Sequence, residues 1–71
     1  MTKVYFSNSY GILREIGSFD RKKEEIAYDC IYDFLKEKNY KSYYCRTWER
    51  NGKTIVDIGS HTEHFEIDWR A

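Results

Sequence analysis

The dipeptide Asn51-Gly52 constrains this chain more than any other feature. It lies between two runs rich in strand formers, "YYCRTW" and "KTIVDI". Both of its residues accept the positive φ that a two-residue hairpin turn demands. Folding about that turn sets a register in which Trp48 faces Ile55, Thr47 faces Val56, Arg46 faces Asp57 and Cys45 faces Ile58. Alternation then puts Tyr43, Cys45, Thr47, Val56 and Ile58 on one side of the hairpin, and Tyr44, Arg46, Trp48, Ile55 and Asp57 on the other. The first side is apolar enough to receive a helix. The second pairs Arg with Asp and Trp with Ile across strands, and is expected to face solvent or a partner.

Upstream, "KVYFS" reads as a strand, "SNSYG" as a turn, and "ILREIGSF" as a second strand. In that second strand Ile12, Arg14 and Ile16 are expected on one side, with Leu13 and Glu15 on the other. The period changes after Asp20. Ile26, Ala27, Cys30, Ile31, Phe34 and Leu35 form one stripe of an amphipathic helix, expected over residues 20–38. Asp20 is its expected N-cap, although Arg21, Lys22 and Lys23 would then oppose the helix dipole in the first turn. Lys36 and Lys38 suit the C-terminal end, and Asn39 suits the stop. In "EHFEIDWR", Phe65, Ile67 and Trp69 point inward, and His64, Glu66, Asp68 and Arg70 outward. The expected fold is α+β: one helix on an antiparallel sheet, in the order ββαβββ.

Seventy-one residues make one small domain, spanning 1–71, with little room for a deep pocket. Seven Tyr, four Phe and two Trp must therefore supply much of the buried area. Twelve basic residues balance twelve acidic ones, which argues against a strongly basic nucleic-acid binder. The balance hides segregation: residues 36–54 are mostly basic, whereas the helix and the last strand are acidic. No apolar run approaches a membrane span and no signal-peptide pattern opens the chain, so a cytoplasmic location is expected.

"GSHTEH" is the segment that most resembles chemistry. His61, His64 and one carboxylate could supply three metal ligands. Strand alternation turns Glu63 and His64 to opposite faces, however, and no nucleophile accompanies a histidine base. The segment reads better as a polar connection, with neither a metal, a cofactor nor a catalytic residue expected. Cys30 and Cys45 are expected on facing apolar surfaces of helix and hairpin, as buried small hydrophobes in preference to a redox pair.

Two faces are candidates for binding. On the outward side of the helix stand Glu25, Tyr28, Asp29, Tyr32 and Asp33. Their three carboxylates recur once per turn, and like charges at that spacing cost roughly a few tenths of a kcal/mol per pair. Helix stability therefore does not explain the row, and the two tyrosines beside it are of the kind enriched in interface hot spots. The alternative face is Tyr44, Arg46, Trp48 and Ile55, where aromatics interleaved with cations could stack on single-stranded nucleic acid.

The segments "TIVDIGSHTEHFEI", "FLKEKNYKSYYCRTWE" and "KVYFSNSYG" resemble short proteins carried by phages and prophages of Gram-positive bacteria. The resemblance covers most of the chain but carries no catalytic residue across. Phage proteins of this size include inhibitors of host defence, anti-CRISPR proteins among them. The resemblance thus implies a non-enzymatic inhibitor that binds a host protein, such as a CRISPR nuclease, by filling a basic nucleic-acid-binding surface.

Overall fold

The computed structural model describes residues 1–20, 23–40, 45–59 and 62–70. Its elements are β1 (Thr2–Ser7), β2 (Leu13–Phe19), α1 (Glu24–Glu37), β3 (Arg46–Arg50), β4 (Lys53–Asp57) and β5 (His64–Asp68). The strands form one antiparallel sheet in the order β2-β1-β5-β4-β3. α1 packs on one side of it, over β1 and β2. This is the expected α+β fold in the expected order. No helix among the described residues is long and apolar enough to cross a membrane.

The hairpin takes the register that Asn51-Gly52 dictates, with Trp48 opposite Ile55, Thr47 opposite Val56 and Arg46 opposite Asp57. Both turn residues have positive φ, 52° and 77°. The β1–β2 turn rests on Asn8, whose Oδ1 accepts from the amides of Tyr10 and Ile12 at 2.9 and 3.1 Å.

β2 departs from simple alternation. Val4 pairs with Gly17 and Tyr5 with Glu15, so Ile16 is an extra residue in the ladder. This bulge lets Ile16 and Phe19, three positions apart, both pack against the core. Ile12 lies before the strand and is largely exposed, contrary to its expected place beside Ile16.

The helix begins later than expected. Its N-cap is Lys23, in extended backbone and without a side-chain cap, and Ala27 N donates to Lys23 O at 3.2 Å. Starting at Glu24 places Glu24 and Glu25 in the first turn, where carboxylates complement the dipole; a start at Asp20 would have placed cations there. The C-terminus closes as the sequence indicates. Asn39 takes a φ of 56°, its amide donates to Lys36 O, and Tyr40 N donates to Leu35 O at 2.9 Å. That closure folds the Tyr40 ring onto Phe6, with centroids 5.9 Å apart.

The core lies between helix and sheet. Ala27, Ile31 and Leu35 meet Val4, Phe6, Val56, Ile58, Phe65 and Ile67 there. Phe6, Phe34 and Phe65 contact one another with centroids 4.9–5.7 Å apart. Aromatic pairs in such tilted and edge-on arrangements contribute beyond their area. On the helix side of β3 and β4 the contacts turn polar. Trp69 Nε1 donates to Thr54 Oγ1 at 2.8 Å, and Thr54 Oγ1 donates to Glu49 Oε1 at 2.9 Å.

Candidate protein-binding site

A helix packed by Ala27, Ile31 and Leu35 must turn the far side of its cylinder to solvent. Glu25, Asp29 and Asp33 stand there, all exposed, and Glu37 extends the row by a further turn. Successive carboxylates are about 6 Å apart along the axis. Among the described residues none of the four has an ion-pair partner. Tyr32 stands beside the row, 53% exposed.

Tyr28 does not belong to that outward face. It is half-buried and packs against the core, near Thr47 of β3. Position 28 falls on the flank of α1 turned toward β3, where the ring covers sheet that the helix leaves open. Burial, followed by the nearby Glu24 charge, pushes its hydroxyl pKa up. The expected pair of exposed tyrosines is thus Tyr32 alone, and Tyr28 is part of the packing.

The opposite flank of α1 makes a groove of about 400 Å³ against β2. Ile16, Phe19, Ile26, Cys30 and Phe34 provide its apolar lining, and Asp29, Asp33 and Glu37 edge it. Sequence periodicity places Ile26, Cys30 and Phe34 in the core stripe without showing this opening. The opening exists because the bulge brings Ile16 and Phe19 to the same side, and a bulge leaves no mark in simple alternation.

The two cysteines do not face one another. Cys30 Sγ is 3.6 Å from Ile16 O in β2, at one edge of the sheet. Cys45 is exposed and directly precedes β3, at the other edge. The helix covers β1 and β2 and not β3, and that separates the thiols. Burial, with a smaller contribution from Asp33, raises the Cys30 pKa and holds it as a thiol, the less nucleophilic form.

The sheet face away from the helix gathers Arg46, Trp48 and Ile55 as alternation requires; Tyr44 lies outside the described residues. Ile55 is only 5% exposed, so it is floor and not contact surface. Trp48 is 42% exposed, with the Arg46 guanidinium 5.4 Å from its ring centroid. Three cations of this face are paired, whereas Arg50 has no ion-pair partner among the described residues. Arg46 Nη2 lies 3.0 Å from Asp57 Oδ2, Lys3 Nζ 3.2 Å from Glu15 Oε1, and Lys53 Nζ 3.9 Å from Glu66 Oε1. The Glu15 contact, by hydrogen bond and charge, raises the Lys3 pKa.

His64 also joins this face, with Nε2 3.0 Å from Glu66 Oε2. His61 lies outside the described residues; among those described, no three His, Cys, Asp or Glu side chains converge. The β1–β2 turn adds an apolar tip that the strand pattern concealed, with Tyr10, Ile12 and Leu13 all exposed. No family model, curated protein or solved structure matches the chain.

Proposed function

We propose that this chain is a non-enzymatic, phage-encoded inhibitor that acts in the host cytoplasm by binding a host defence protein. In this role the outer face of α1, with Glu25, Asp29, Asp33 and Tyr32, occupies a basic nucleic-acid-binding surface, such as the channel of a CRISPR nuclease. One observation supports this above the others: the helix carboxylates stand in a row without cationic partners among the described residues, whereas Lys3, Arg46 and Lys53 of the sheet each have a carboxylate partner. Unpaired carboxylates at one-turn spacing offer the field of a phosphate backbone, which steers association and favours a cationic partner.

The second function, a small module that binds single-stranded nucleic acid through Arg46 and Trp48, is favoured by the exposed Trp48 ring with Arg46 over it. Asp57 already engages that arginine and weakens its attraction for phosphate. Affinity capture from a Gram-positive host lysate, with and without nuclease, separates the two. A protein retained after nuclease treatment, and lost when Asp29 and Asp33 are reversed to Lys, supports the inhibitor. A signal that disappears with nuclease supports the nucleic-acid module.

A further inference from the structure

We infer that the groove between α1 and β2 takes a basic amphipathic helix of the partner, with apolar side chains in the groove and lysines or arginines against its acidic edge. This rests on the proposed role of the acidic helix face and specifies what that face recognises. The groove floor is apolar and accessible, formed by Ile16, Phe19, Ile26, Cys30 and Phe34. Burying that surface against a partner removes apolar area from water, which favours association. Asp29, Asp33 and Glu37 line the same opening, so an apolar segment enters past carboxylates.

The charge selects among apolar occupants. A neutral or acidic segment would desolvate three carboxylates without return, which burial of charge penalises. A cationic segment offsets that penalty. The spacing is compatible with a helix, and the irregular strand edge beside it favours one over an added strand. Asp29, Asp33 and Glu37 repeat every four residues, about 6 Å along the axis. Cations four residues apart on a second helix repeat at the same distance, so two helices lying alongside keep their charges opposed over the roughly two turns that the row spans. Their apolar positions, offset by three or four residues, face the groove together. The bulge at Ile16 holds this edge of the sheet irregular, and an added strand is disfavoured there.

The test uses the intact protein and synthetic helical peptides, with affinity and backbone-amide chemical shifts as readouts. A Leu/Lys amphipathic peptide should bind about tenfold or more tighter than an Ala/Lys peptide of equal charge. The shifts should gather at Ile16, Phe19, Ile26, Cys30 and Phe34. Ile26→Ala, at a half-buried groove wall, should weaken the Leu/Lys peptide by about fivefold without affecting the Ala/Lys peptide. Equal binding of the two peptides overturns the groove and leaves the acidic face standing as a binding surface. Equal binding of a Leu/Glu peptide overturns the charge selection. Binding of neither cationic peptide overturns both the groove and the acidic face, and shifts centred on Trp48 transfer binding to the sheet.

Discussion

A Cβ on Gly17 would fall 2.6 Å from the Sγ of Cys30 and 3.0 Å from the Phe19 ring. Helix and bulged edge strand therefore meet at a point where only a hydrogen fits. Gly17→Ala should cost about 1–3 kcal/mol through overpacking, measured by urea unfolding. Cys30→Ala should recover part of that loss in the double variant, because one of the two crowded neighbours is then smaller. Additive losses in the two single variants would show that the contact is not the cause.

The cysteines should behave differently from one another. Exposed Cys45 should be alkylated quickly by iodoacetamide, and Cys30 slowly until the chain unfolds. Mild oxidation of the monomer should leave no Cys30–Cys45 disulfide, since the two lie toward opposite edges of the sheet. The raised Cys30 pKa also has a pH consequence. Its contribution to stability is full below the ordinary value of 9.0 and is lost as pH rises through the higher folded value. Peptide mapping and alkaline unfolding curves of the wild type and Cys30→Ala check all three points.

On the sheet face, Arg46→Ala should leave retention on single-stranded DNA and RNA unchanged, because Asp57 already holds the guanidinium. Its effect on stability should stay within about 1 kcal/mol, as for other exposed ion pairs. Salt-sensitive retention of the wild type that Arg46→Ala reduces would promote the nucleic-acid module.

Phe34→Ala should cost roughly 3–5 kcal/mol and can unfold so small a domain, because the ring contacts Phe6, Phe65 and Tyr40. Tyr32→Ala, on the exposed flank, should stay within about 0.5 kcal/mol. Tyr28→Ala should be the costlier of the two tyrosine changes, since it removes core packing. Thermal unfolding of the three variants ranks them. Equal effects at Tyr28 and Tyr32 would contradict the placement of Tyr28 on the packed flank.

Features set by local chemistry were legible in the sequence. Asn51-Gly52 determines a turn, and the turn determines the pairings of Trp48 and Arg46. Asn39 and the apolar positions of α1 likewise announce a helix end and a packed side. Features set by where one layer rests on the other were hidden. Periodicity gives the packed side of α1 but not the strands beneath it, so Tyr28 passed for a surface residue and Cys45 for a buried one. The bulge at Ile16, and with it the groove, depends on pairing across the sheet that alternation along one strand does not encode.

The most direct test of the acidic face compares wild type, Asp29→Lys/Asp33→Lys and Arg46→Ala as baits in one nuclease-treated Gram-positive lysate, with thermal unfolding run alongside. The double reversal should unfold near the wild-type temperature, because both positions are exposed and unpaired among the described residues. It should lose the protein that the wild type captures, while Arg46→Ala keeps it. A double reversal that stays folded and captures the same protein in the same amount would contradict the assignment and move the interface to Trp48 and its neighbours on the sheet.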